Sequence, residues 1–173
     1  MPQNIEIKAR VRNAPRFMLL AGQAGGGEGE GEIIHQTDTF FTVPSGRLKL
    51  RDFGDGSGEL IRYHRPDTDG PKTSDYAITR TDDPAGLVRV LSGALPVLGV
   101  VRKKRTLFLA GRTRIHFDEV RDLGTFMELE VVLEDGEDAA TGEAEAQRLM
   151  AELEIAPADL VEGAYLDHLL NKD

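Results

Sequence analysis

Asn4-Ile5-Glu6-Ile7-Lys8-Ala9-Arg10-Val11 alternates without a break, polar at positions 4, 6, 8 and 10 and apolar at 5, 7, 9 and 11. That is the period of a β-strand with one buried face, and helical spacing fits it poorly. The same two-residue period recurs downstream. Strands are predicted at Ile33 to Thr42, Arg47 to Phe53, Glu59 to Arg65 and Thr73 to Thr79, and again at Gly99 to Ala110, Arg112 to Glu119 and Thr125 to Leu133. Turn chemistry separates them: Pro44-Ser45-Gly46, Gly54-Asp55-Gly56-Ser57-Gly58, and the stretch from Pro66 to Pro71. Two helices interrupt the series, one over Arg16 to Ala21, opened by Pro15 and ending near Gly22, the other capped by Asp83 with Pro84 as its first residue. The tail from Thr141 to Leu170 carries helical spacings on both sides of Pro157. Eight strands with inserted helices give an α+β domain built on a curved antiparallel sheet or barrel.

The chain has 173 residues, 40% of them hydrophobic and 29% charged, which suits one soluble globular domain spanning residues 1–173. No apolar run approaches the roughly 20 residues that span a bilayer. The start lacks the basic and apolar regions of a secretory signal, so a cytoplasmic location away from membranes is expected. With no cysteine, any metal site must use oxygen or imidazole ligands. A net charge of −9 argues against nonspecific nucleic-acid binding, which needs a broad basic surface. A small anion remains a possible partner, because a cleft can focus positive potential within an acidic protein. Six glycines between Gly22 and Gly31 read as a flexible loop; the Lys-Ser/Thr of a phosphate-cradling P-loop does not follow.

Parity along the strands locates the chemistry, since residues two apart point to the same side. Glu6, Lys8 and Arg10 share a face opposite Ile5 and Ile7. Arg47, Lys49 and Arg51 oppose Leu48 and Leu50; Arg114, His116 and Asp118 oppose Ile115 and Phe117; Glu128 and Glu130 oppose Met127, Leu129 and Val131. A sheet with one solvated face also alternates. These faces, however, are almost purely ionic, with the anions grouped at Glu6, Asp118, Glu128 and Glu130. Carboxylates set apart from cations suit a divalent ion beside a polyanion: Mg²⁺ or Mn²⁺ takes a few carboxylates and bridges to phosphate oxygens, while Lys and Arg neutralise the rest.

Glu6-Ile7-Lys8, the Lys49/Arg51 pair, Arg102-Lys103-Lys104-Arg105, Arg114-Ile115-His116-Phe117-Asp118 and Glu128-Leu129-Glu130, in this order, resemble the CYTH superfamily of triphosphate tunnel metalloenzymes. The likeness is greatest to class IV adenylyl cyclases and runs from Asn4 to about Leu133. It implies an eight-stranded antiparallel barrel open as a tunnel, binding a triphosphate and one or two divalent ions, Mg²⁺ or Mn²⁺. By the same resemblance Glu6, Asp118, Glu128 and Glu130 are metal ligands, and Glu6, Lys8, Arg114 and Glu130 are catalytic. Lys8, Arg10, Lys49, Arg51, Arg65, Lys72, Lys103, Arg105 and Arg114 are its phosphate-binding cations. Asn4 departs from the pattern, standing where the family signature has its first Glu; an amide offers a neutral oxygen and takes no proton at neutral pH.

Three activities follow as expectations: cyclisation of ATP to cyclic AMP and pyrophosphate, hydrolysis of inorganic, nucleoside or thiamine triphosphate, and non-catalytic binding of a polyphosphate or nucleotide. His116, on the inward face, is expected to contact phosphate or base, or to hydrogen-bond a carboxylate. Asp38 is expected to act as a secondary metal or orienting group, Tyr63 to line the sheet, and Glu143, Glu145 and Glu152 to form a solvated helix face. The chain is expected to be a monomer or a homodimer.

Overall fold

The computed structural model describes residues 3–24 and 29–172. Its eight strands are β1 (Gln3–Arg10), β2 (Glu32–Phe41), β3 (Arg47–Asp52), β4 (Gly58–His64), β5 (Lys72–Thr81), β6 (Val97–Ala110), β7 (Thr113–Val120) and β8 (Gly124–Val132). They close into a barrel in the order β1-β5-β4-β3-β2-β6-β7-β8, with every neighbouring pair antiparallel. Closure leaves no free sheet edge, so every strand finds partners on both sides. The helices are α1 (Ala14–Ala24), α2 (Pro84–Ala94), α3 (Ala139–Glu152) and α4 (Tyr165–Leu170). The alternation leaves a curved antiparallel sheet or a barrel, and the closed eight-stranded antiparallel barrel with flanking helices is the form that the family resemblance implies.

The barrel is built inside out. Ile5 and Ile7 on β1, Ile115 and Phe117 on β7, and Met127, Leu129 and Val131 on β8 face outward and are almost wholly buried. What buries them is α1 and α3, through Phe17, Ala21, Ala146, Leu149, Met150 and Leu153. On β1, β3, β7 and β8 the ionic face therefore turns to the barrel axis. A second apolar cluster, with Phe40, Val101, Phe126 and Val161, seats Tyr165 and Leu166 of α4 at one end of the barrel. On the outside, Glu145 is no part of a solvated face: its carboxylate accepts from Arg112 Nε at 3.0 Å and from Thr113 Oγ1, tying α3 to β7.

Some boundaries differ from those read in the sequence, each for a local reason. Asn13 Oδ1 accepts the Arg16 N–H at 3.1 Å and opens α1, which continues past Gly22 to Ala24 because Phe17 and Ala21 anchor it against the barrel. Of the glycine loop expected over Gly22 to Gly31, Gly22 to Ala24 are helical instead, residues 25–28 lie outside the described residues, and 29–31 are irregular. Asp83 caps α2 as expected, accepting from Gly86 N at 2.8 Å.

The tail is helical only in part. After α3 comes a short 3₁₀ turn at Pro157–Asp159, and then an extended strap. Leu160 bridges Ala9, and Val161 N donates to Lys8 O at 3.0 Å, so the strap's backbone is committed to the end of β1 rather than to a helix. Gly163, at φ +73°, then turns the chain into α4.

Gly46 sets the start of β3, and so the register of Arg47, Lys49 and Arg51. It has φ +70°, and a Cβ there would lie 2.7 Å from the carbonyl oxygen of Tyr63. Gly46→Ala combines a left-handed backbone with a clash against a strand that cannot retreat. We expect it to lower stability by about 1–3 kcal/mol in urea denaturation; an unchanged midpoint would refute this account of the turn.

Candidate active site

The interior of the barrel is a cavity of about 290 Å³. Seven cations line it (Lys8, Lys49, Arg51, Arg65, Lys103, Arg105 and Arg114) against five carboxylates (Glu6, Asp38, Glu59, Glu128 and Glu130), a surplus of two positive charges. Cross-strand register brings them together. Glu6 pairs with Glu130, Lys8 with Glu128, Arg114 with Glu130, and His116 with Glu128.

One end of this tunnel is shut by the strap and α4. Lys8 Nζ donates to the carbonyl of Gly163 at 2.6 Å, and Arg65 Nη2 to the same oxygen at 3.3 Å. Beneath them the Tyr165 ring receives Lys8 at 4.3 Å and Lys103 at 5.0 Å from its centroid, a cation–π arrangement. Arg47, rather than facing a phosphate, clamps Asp167 of α4 at 2.8 Å. The opposite end is walled by Ile34, Leu107 and Ile78 and is open, with Ile78 48% exposed and the Arg114 side chain 38% exposed.

Most of the cations are held by a buried carboxylate. Asp38 accepts from Lys49 Nζ at 2.9 Å and from Arg51 Nε and Nη2 at 2.8 Å each. Asp118 accepts from Arg105 Nε at 2.7 Å and Nη2 at 2.8 Å, from Lys103 Nζ at 3.3 Å, and from the Tyr165 hydroxyl at 2.9 Å. Burial works against the charge of both Asp carboxyls, but Arg51 and Lys49 hold Asp38, and Arg105 and Lys103 hold Asp118, well below the usual carboxylate range. Burial, with the nearby charges of Arg65 and Lys103, pushes the Lys8 ammonium down to about 7 against the pull of Glu128. Burial and Arg51 bring Lys49 to about 8, with Asp38 opposing them.

The three glutamates are different. Glu6 has one strong partner, Arg65 Nη1 at 2.6 Å, and burial with the charges of Glu130 and Glu128 raises its carboxyl above the ordinary value. Glu128 accepts from Arg105 Nη2 at 3.1 Å, and Glu130 from Arg114 Nε at 2.9 Å. Burial opposes the ionisation of Glu130, yet the charges of Arg114 and Arg105 hold its carboxyl below the ordinary value. His116, whose charged form is disfavoured by burial and by Arg105, completes a group: one ring nitrogen and one oxygen from each of Glu128 and Glu130 lie within 4.8 Å of one another.

This group fits a divalent cation. His116 Nδ1 stands 3.9 Å from an oxygen of each glutamate, between the about 3 Å and about 4.2 Å that separate neighbouring and opposite ligands around an octahedral ion with bonds of about 2.1 Å. The Nδ1 is buried without a hydrogen-bond partner, as are Oδ1 of Asn4 and Oε1 of Gln36, which line the same tunnel. Orphaned polar atoms of this kind are rare in a finished interior and point to a missing ligand.

Not every expected residue joins the centre. Arg10 has the right parity but is the last residue of β1, exposed, stacked over Phe126 at 5.2 Å, and outside the set that lines the tunnel. Lys72 is buried beside Glu6 in the register, with its ammonium on the carbonyl of Thr68. Asp118 lies behind Lys103 and Arg105, and neither it nor Glu6 belongs to the group around His116. Gln36, Glu59 and Tyr165 were not foreseen. Thr37 and Thr39 give β2 polar residues on its outward face as well, so hydropathy does not mark Gln36 as inward; only register shows it.

Fold and site together define a barrel with a charged axial tunnel. The CYTH domain signature matches residues 2–165, and the chain belongs to that family. Among solved structures it is similar to the PH1012 protein of Pyrococcus horikoshii OT3, with a TM-score of 0.81 at 20% identity, covering 95% of this chain and 98% of that one. A provisionally named adenylate cyclase from Vibrio parahaemolyticus aligns with TM-score 0.74 and 22% identity over 96% and 97% of the two chains. The RNA triphosphatase Pct1 of Schizosaccharomyces pombe aligns with TM-score 0.51 and 11% identity over 91% and 84%. At such identities the likeness is one of fold. No curated protein matches the sequence. Among the described residues no helix is long and apolar enough to cross a membrane.

Because Asp38 and Asp118 ionise below their ordinary range in the folded protein, the stability they contribute is complete above about pH 5 and is lost as pH falls below about 4. Urea unfolding at pH 7 and pH 3.5 should show this loss. Asp38→Ala, which strands two buried cations, should be about 3–5 kcal/mol less stable at pH 7 and lose less on acidification; equal acid sensitivity in both proteins would contradict the assignment.

Proposed function

We propose that the tunnel takes an organic triphosphate together with a divalent cation, and that the protein acts as an adenylyl cyclase of the class IV kind. The observation that carries this reading is the order of groups along the axis. The cations Lys8, Arg65 and Lys103 crowd the closed end, Glu128 stands beside them at 3.9 Å from Lys8 Nζ, and Glu130 with its register partner Arg114 lies one step further towards the open end. Phosphates enter first and lodge among the deep cations, leaving the organic group at the aliphatic mouth. The phosphorus beside His116, Glu128 and Glu130 is then the one bonded to the organic group, the centre at which a cyclase reacts.

In that reaction the ribose 3′-hydroxyl gives its proton to water as its oxygen bonds to the α-phosphorus, the bond to the bridging oxygen breaks, and pyrophosphate departs with that electron pair. Mg²⁺ or Mn²⁺ held by Glu128 and Glu130 would supply Lewis-acid stabilisation of the charge. Arg114 neutralises charge on the reacting phosphoryl group. Lys8, Lys103 and Arg65 receive the leaving pyrophosphate, and Lys49 and Arg51, pre-aligned by Asp38, do so without reorganisation. Asp118 serves as the fixed anion that orients Arg105 and Lys103.

A second reading, hydrolysis of the terminal phosphorus of a triphosphate, is supported by Glu6. It pairs with Arg65, whose guanidinium also reaches the Gly163 carbonyl at the closed end, and can orient a water beside that arginine. Purified protein given Mg²⁺ or Mn²⁺ with ATP, inorganic triphosphate or thiamine triphosphate separates the readings. We expect cyclic AMP and pyrophosphate from ATP, and Glu130→Ala to lower turnover by at least about 100-fold with an unchanged fold by circular dichroism. Phosphate without cyclic AMP would replace the cyclase reading by the hydrolase one. Tight triphosphate binding with no turnover would make the protein a binding module, and full activity of Glu130→Ala would remove the metal assignment.

A further inference from the structure

His116 is the one histidine that lines the tunnel, and its Nδ1 has no hydrogen-bond partner among the described residues. The residue is 3% exposed and Nδ1 is unpaired. The obvious structural role, a hydrogen bond to a carboxylate, is not made: 3.9 Å to Glu128 Oε2 and 3.9 Å to Glu130 Oε1 both exceed hydrogen-bonding distance. The same two distances place Nδ1 evenly between oxygens of two glutamates on the adjoining strand. Each glutamate's remaining charge is already anchored by an arginine, Arg105 for Glu128 and Arg114 for Glu130. The anchoring fixes both carboxylates beside the ring.

We infer that His116 is a nitrogen ligand, through Nδ1, of the divalent cation in the tunnel, and that the site selects a first-row transition ion such as Mn²⁺ over Mg²⁺. The inference rests on the metal-binding reading given above and adds a ligand and a selectivity to it. The chemistry follows from donor type. Mg²⁺ is a hard ion that takes oxygen and sheds its water reluctantly, whereas imidazole is a good ligand for transition ions. At position 4 the chain also offers an amide oxygen, itself unpaired and buried on the tunnel wall, so the centre has less of the dense negative charge that favours Mg²⁺.

The test uses the tag-free protein and Mn²⁺ alone, with no nucleotide. Electron spin-echo envelope modulation of the bound Mn²⁺ is expected to show the nitrogen coupling of a directly bound imidazole. His116→Gln should remove that coupling and weaken Mn²⁺ by about tenfold while leaving Mg²⁺ within about twofold, as measured by titration calorimetry. Bound Mn²⁺ with no imidazole coupling in the unaltered protein would overturn the inference and leave the metal reading standing, whether or not the variant folds. Failure of either ion to bind at millimolar concentration, with Glu130→Ala no different, would overturn both. A coupling that survives in His116→Gln would also overturn it, by assigning the nitrogen to another residue.

Discussion

Putting charge inside a protein is costly unless each charge finds its opposite, and this constraint organises the whole barrel. The axial face of nearly every strand is ionic, so the interior holds together only as an interlocked set of pairs: Asp38 with Lys49 and Arg51, Asp118 with Arg105 and Lys103, Glu6 with Arg65, Glu130 with Arg114. The apolar surface that would normally fill a core is displaced to the outside of the sheet. That in turn obliges α1 and α3 to lie against the barrel, with Leu149, Met150 and Phe17 taking the place of solvent. The helices are therefore part of the barrel's stability rather than decoration on it.

The pairing also divides the carboxylates by task. Asp38 and Asp118 have their oxygens filled by several donors each and act as fixed counter-charges that aim the cations. Glu6, Glu128 and Glu130 each have oxygen capacity left over, and two of them are grouped with an imidazole. A site of this kind is arranged before its ligand arrives, so little reorganisation is needed when a polyanion enters.

Much of this was legible in the sequence because strand period is two and a barrel has only two faces. Once Glu6 and Lys8 were seen opposite Ile5 and Ile7, the inward set on β3, β7 and β8 followed. Parity does not tell how far along the axis a residue sits, which is why Arg10 reads as a phosphate ligand although it ends β1, exposed at the barrel's rim. Nor does it show which carboxylates are saturated, and Asp118 reads like Glu128 until its three donor residues are seen. Asp38 and Gln36 sit on a strand with polar residues on both faces, so only register separates inside from outside. Tyr165 comes from a strap that obeys no period at all; its place depends on backbone bonds to β1.

That strap has a kinetic meaning. With Gly163 and Tyr165 filling one end, the tunnel is a blind alley, and whatever enters must back out through the aliphatic mouth. Were a molecule split inside it, the fragments could not leave independently. The piece nearest the mouth must depart before the piece lodged against Lys8 and Arg65, so release has a fixed order, and the deep fragment is the one whose lingering would set the pace of the next cycle.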